Sequence, residues 1–315
     1  MLSRPARLFG GLGRWKYFLR GLFIYPWAQR WAEYLLTDEQ GRQLLSLKPR
    51  LLLKLQRPYL RGTACVRQRL RWLMQHFGWM RQHWPWHFTQ ALYRNGQHRL
   101  ATFSGANEHY TLVLQPTDKC DREGELILSL ECQGESLALL SFSILRHRLD
   151  WVASVGCLQG PRADAGRERV KAATHDLHGL RPKQAVLLAL YALVQHYRIA
   201  GIHAVANDSH IHKARLRSRN RVRACYDSFW EEMGGCRQGD SFVLPPQLAR
   251  KELSAIASRK RAQYRRRHEL EDIVLQQICA ALPPCLNQDT LAPALPAGIV
   301  AAYPGRETPA LPVAA

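Results

Sequence analysis

The chain has 315 residues, 46% of them hydrophobic, and its 45 lysines and arginines against 25 acidic residues give a formal net charge of +20. That apolar fraction excludes a wholly disordered polymer and supports a real core. The charge excess makes polyanions the expected partners: nucleic acid, anionic lipid, lipopolysaccharide or a phosphorylated cofactor.

Eight cysteines, at 65, 120, 132, 157, 225, 236, 279 and 285, follow no C-x-x-C or small-domain framework. They are expected to be reduced thiols in a cytoplasmic setting. No metal is expected. The nearest metal-like element is His210-Ile211-His212, which reads as a surface or loop pair. The N-terminus lacks the apolar core and small-residue cleavage site of a secretory signal, and the run from Gly21 to Ala28 is too short to span a membrane.

Residues 8–36 alternate Arg14, Lys16, Arg20 and Arg30 with Trp15, Tyr17, Phe18, Phe23, Trp27 and Trp31. This mixture suits a helix lying at an anionic membrane surface, so peripheral inner-membrane contact is expected there. Gln40 to Leu53 reads as a short helix. Val66, Leu70, Leu73, Phe77 and Met80 mark an amphipathic helix over Thr63 to Arg81. From Trp86 to Leu158 the apolar period becomes two. The segments FTQALYR, HRLATFS, HYTLVLQP, EGELILSLEC, SLALLSFSIL and WVASVGCL read as strands of an antiparallel meander, separated by turn residues.

The last of these strands empties into Gln159-Gly160-Pro161, and a polar turn of helix follows. Pro182 then opens a helix that is apolar on nearly every side from Gln184 to Tyr197, and GIHAVAN, 201–207, reads as a second buried strand. Strand, crossover helix and strand make a right-handed parallel βαβ unit. Free N–H groups at the start of that helix, with Arg181 and Lys183 beside them, form a natural phosphate site.

Beyond it, Lys213 to Arg223 places six basic residues at alternate positions. ACYDSFWEEMGG reads as a helix closed by glycine, and Asp240 to Leu244 as a last strand. A second basic cluster, SRKRAQYRRRHE, opens a helix running to about Leu282, and the Pro/Ala-rich remainder is expected to be disordered. No nucleic-acid-binding signature accompanies either cluster, so nucleic-acid binding rests on charge alone. The expected organisation is α+β: a helical region at 1–82, a mixed and mainly antiparallel core at 83–250, a basic helix at 251–282 and a tail at 283–315.

The strings GCLQGP, THDLHGLRPKQ, AVANDSHIH, YDSFWEEMGG, FVLPP and SRKRAQYRRRHEL, with EGELILSL and SFSI, resemble the signature of the VirK/YbjX family of bacterial proteins from about residue 40 to 280. The resemblance implies a role at the cell envelope, in virulence and in resistance to antimicrobial peptides. The order of elements also resembles the GNAT acyltransferase superfamily, which implies a GNAT-like core and an acyl-CoA or acyl-carrier donor. In that reading Gln159, Gly160, Arg181 and Lys183 hold the cofactor, His178 or His210 is the general base, and Tyr226 is the acid. Two departures stand out: some twenty residues separate Gln159-Gly160 from the main helix, and Trp230 occupies the place of the usual tyrosine. Cys157 sits in an apolar strand that disfavours a thiolate. The competing expectation is a non-enzymatic protein whose basic faces bind anionic lipid or lipopolysaccharide.

Overall fold

The computed structural model describes residues 19–117, 120–161, 164–211 and 226–286. The basic run 213–223 and the tail beyond 286 lie outside the described residues, as do residues 8–18 of the aromatic-basic segment.

The fold is α+β. The chain is helical from residue 19 and continues into α1, Tyr25–Leu36. Asp38 accepts from the Gly41 N–H at 2.7 Å and so caps α2, Glu39–Leu47. A 3-10 segment, Pro49–Gln56, leads to α3, Val66–His83. Next comes α4, Trp86–Asn95, where the sequence pattern predicted the strand FTQALYR. The helix wins because Phe88 and Leu92, four apart, are buried together with Thr89 and Tyr93 on one face. Gly96 closes it at φ 75°, its N–H bonded to the Leu92 carbonyl.

Among the described residues eight strands follow in one sheet: β1 His98–Ser104, β2 His109–Pro116, β3 Leu126–Cys132, β4 Glu135–His147, β5 Asp150–Gln159, β6 Gly201–Val205, β7 Cys236–Gln238 and β8 Ser241–Val243. Their spatial order is β1-β2-β3-β4-β5-β6-β8-β7, and every neighbouring pair is antiparallel except β5 and β6. The short β7–β8 hairpin shows that the expected single last strand has a partner. Between β5 and β6 run α5, Asp164–Asp176, a full helix rather than one polar turn, and α6, Pro182–His196. The predicted crossover is therefore present.

α6 is buried from Ala185 to Val194 because it is covered twice, by β3 to β5 and by the C-terminal helix α8, Ser258–Ala281. α8 reaches β1, where Gln277 accepts from the Thr102 N–H at 2.8 Å. Arg259, Lys260, Arg261, Arg265 and Arg266 all stay on its exposed side. α3 lies along β4, where His76 Nδ1 accepts from the Ile144 N–H at 3.1 Å and Gln75 accepts from the Arg146 N–H at 3.2 Å. One apolar core runs from Trp31 to Leu282, so the N-terminal helices and the sheet share an interior. Among the described residues no helix is long and apolar enough to cross a membrane. A short helix, α7, Tyr226–Glu232, stands beside the start of α6.

Candidate functional site

Two places gather charge and aromatic surface. The first is where the parallel strands part. β5 and β6 pair from Val152↔Gly201 to Val155↔Ala204, and beyond that point β5 continues to Gln159 paired only with β4. The register with β4 slips between Ser141 and Phe142, leaving Gly156 as the extra residue. Tyr226, the first residue of α7, fills the gap: its hydroxyl points at Cys157 Sγ, 3.9 Å away, and takes a backbone hydrogen bond from Leu158. Its position is set by Asn207, whose side-chain oxygen accepts from the Tyr226 N–H at 2.9 Å.

His210 stacks on the Tyr226 ring at 5.2 Å, and its Nε2 is 3.7 Å from Glu123 Oε1. All of these side chains are buried. Burial, reinforced by Cys157 and Glu123, holds the Tyr226 hydroxyl well above the usual phenol range. Burial likewise pushes the Cys157 thiol up, with a hydrogen bond to Cys120 acting in the same direction.

The predicted phosphate residues lie on the other side of Tyr226. Arg181 and Lys183 both stand over the Phe229 ring, at 5.8 and 5.9 Å. Arg181 is committed to Glu232 at 2.6 Å, while Lys183 is half-buried and its pKa is lowered by burial. Gln184 occupies the first turn of α6, accepting from the Arg181 N–H and contacting Met233 Sδ. That turn is thus lined by α7 rather than open to solvent on all sides. Gln159 is half-buried, Gly160 is exposed, and a side chain at Gly160 would meet nothing within 4 Å. His178 sits apart, in a left-handed bend (φ 55°) between α5 and α6, with no hydrogen bond to His210 or Tyr226. The structure therefore brings together His210, Tyr226 and Cys157, and separately Arg181 and Lys183, but not His178.

The second place is a groove of about 440 Å³ between α1 and α3. Trp27, Leu70, Met74 and Trp151 provide its apolar floor. Arg30 and Arg67 stand over the Trp27 ring at 5.7 and 5.8 Å, and Arg71 follows Arg67 by one helical turn. All three arginines are exposed, and among the described residues none is paired with a carboxylate. Just upstream, Leu19, Leu22, Phe23 and Tyr25 are 52%, 57%, 88% and 60% exposed. Sequence alone placed Arg30 and Trp27 in an aromatic-basic segment, but not Arg67 and Arg71 beside them. Their i, i+4 spacing, straddling Leu70, was the available signal.

A family model described as "Protein of unknown function (DUF535)" matches residues 12–280. The uncharacterized protein YbjX of Escherichia coli (strain K12) is 33% identical over 271 residues, covering 84% of this chain and 82% of that protein. An uncharacterized protein of Haemophilus influenzae is 36% identical over 134 residues, 42% of this chain and 44% of its own length. No solved structure matches.

Proposed function

This chain belongs to the DUF535 family of YbjX-like proteins, and from that premise we propose that it works at the bacterial envelope by binding an anionic amphiphile, a lipid with a charged head and an apolar tail. The observation that carries the reading is the trio Arg30, Arg67 and Arg71, exposed and, among the described residues, without carboxylate partners, around the apolar floor of Trp27, Leu70 and Met74. Guanidinium groups suit phosphate because they offer a planar fork of donors, and stacking over Trp27 holds those of Arg30 and Arg67 beside the groove. Phe23 and Leu22 add an apolar edge of the kind that enters the headgroup boundary. The protein's excess positive charge supplies the long-range attraction.

Sedimentation with vesicles tests this. Vesicles containing phosphatidylglycerol should carry the protein down and release it at high salt, whereas phosphatidylcholine vesicles should not. Arg30→Ala with Arg67→Ala should weaken binding by about 2 kcal/mol, roughly 30-fold. Equal binding to both vesicle types, or an unchanged affinity in the double variant, would remove the groove from the account.

A second reading, acyl transfer from an acyl-CoA or acyl-carrier donor on a GNAT-like core, is favoured by the parting of β5 and β6 beside Lys183. In it the backbone near Gln159 and Gly160 polarises the acyl carbonyl, Arg181 and Lys183 meet the phosphates, His210 accepts a proton and Tyr226 returns one to the leaving thiol. Against it stand the Arg181–Glu232 pair and the side chains lining the first turn of α6. Protection from thermal unfolding by coenzyme A esters, abolished in Arg181→Ala with Lys183→Ala, is the result this reading requires.

A further inference from the structure

Residues 120–125, which lead into β3, lie against β5 and press two side chains toward it. Cys120 Sγ, a Glu123 carboxylate oxygen and Cys157 Sγ all lie within 4.8 Å of one another, and all three residues are buried. His210, 1% exposed, brings its Nε2 to 3.7 Å from Glu123 Oε1. We propose that these four residues form a structural site for a soft divalent cation, zinc by the class of its donors.

Two thiols, an imidazole and a carboxylate are a set that zinc accepts, and calcium and magnesium, which take oxygen ligands, do not. Ligands about 2.0–2.3 Å from a tetrahedral ion stand roughly 3.3–3.8 Å from one another. For Cys120, Glu123 and Cys157 the observed spacing therefore closes onto an ion by side-chain movements of about 1 Å, and His210, beside Glu123, completes the set by turning toward them.

The backbone is built for this approach. Cys120 and Glu123 share one turn, in which the Glu123 N–H donates to the Cys120 carbonyl at 2.9 Å. Any Cβ at position 156 would lie 2.0 Å from the Glu123 carbonyl oxygen, so only glycine lets the turn come down onto β5. Ile127 and Leu139 form an apolar wall around the sulfurs. Among the described residues the charge comes close to balance. Two thiolates and a carboxylate against a dication leave one negative charge, and Lys183 lies near enough to Cys157 to feel its charge. On binding, both thiols release their protons to solvent while the imidazole stays neutral.

The site would join three segments distant in sequence: the turn before β3, the C-terminal end of β5 and the loop after β6. It also reassigns His210. A histidine that ligates a metal through Nε2 is no general base, so this inference and the acyl-transfer reading exclude each other at that residue. The lipid-binding reading is independent of both.

The test uses the full chain, purified without a polyhistidine tag, stripped by chelation under reducing conditions and titrated with Co²⁺. The expected result is about one equivalent bound, with a near-ultraviolet thiolate-to-cobalt charge-transfer band and the visible bands of a tetrahedral ion, all erased by Zn²⁺. Cys120→Ser and Cys157→Ser should each weaken the charge-transfer band, and His210→Gln should lower the affinity at least about tenfold. Cys236→Ser, on an exposed strand, should change nothing. Cys120→Ser and Glu123→Gln, both in the connecting turn, keep the test valid if Cys157→Ser fails to fold, with near-ultraviolet circular dichroism as the check. Absence of the charge-transfer band in the wild-type chain, its persistence in the Cys120→Ser, Cys157→Ser double variant, or a Cys120–Cys157 disulfide in freshly isolated protein would each overturn the assignment.

Discussion

The groove between α1 and α3 and the cluster beneath β5 both set ionisable groups against aromatic rings, yet their surroundings differ in every physical respect. Arg30, Arg67 and Arg71 are exposed, so leaving them without carboxylates costs little, and an arriving anion gains all three. Glu123, His210 and the two thiols are sealed, so each must be answered by a neighbour or by an ion held among them. In the proposed function the exposed cations on their apolar floor serve recognition. In the proposed metal site the buried donors from three segments serve to hold the fold in register.

That contrast can be broken by measurement. The largest effect belongs to the buried pair Lys54–Glu125, 2.8 Å apart beneath the same sheet face, with Lys54 Nζ also donating to the Asp121 carbonyl. Lys54→Met strands Glu125 in the interior and should cost about 3–5 kcal/mol in denaturant unfolding, whereas Arg67→Ala in the groove should stay within about 0.5 kcal/mol. Comparable costs at the two positions would erase the distinction.

Gly156→Ala comes next. The added methyl must displace the Glu123 turn, costing about 1–3 kcal/mol, and cobalt affinity should fall with it while vesicle binding is unchanged. A variant as stable as wild type would show that the turn does not need its close approach.

The pH response is slightly smaller. Burial, followed by the nearby Lys54 charge, lowers the pKa of His76 to about 3. The unfolded chain, near its ordinary value of about 6.5, therefore binds the proton that the folded chain refuses. Stability from this group is complete above about pH 6.5 and is lost as pH falls toward 3, by about 1.4 kcal/mol at pH 5.5. His76→Asn keeps an acceptor for the Ile144 N–H and should flatten that part of the profile. An identical profile in the variant would mean that other groups control the acid limb.

The smallest effect is Glu232→Gln. The pair with Arg181 is half-exposed, so stability should change by less than about 1 kcal/mol. If the acyl-transfer reading holds, freeing Arg181 should tighten coenzyme A ester binding; no change would count against a phosphate site there.

Much of the framework was legible. Alternation in 98–158 marked the five meander strands because a sheet with both faces covered still separates its side chains by twos. The all-round apolar character of 184–197 announced a helix enclosed on both sides, and Pro182 its start. Reading 88–94 as a strand failed because Phe88 and Leu92 satisfy a helical face just as well, and Gly96 decided between the two. The β7–β8 hairpin escaped notice because three-residue strands carry too little pattern.

The candidate sites divide in the same way. Arg181, Lys183, His210 and Tyr226 were legible as chemistry, but which of them meet was not. Local spacing by itself determined most of the secondary elements, the crossover and the basic character of this protein, since those depend on neighbours a few residues apart. Only the tertiary structure decided that Cys120, Glu123 and Cys157 converge with His210 beside Glu123, and that Arg30 and Arg67 meet over Trp27. Such meetings arise from how a turn lies on a strand and one helix on another, and no periodicity along the chain encodes a distance across it.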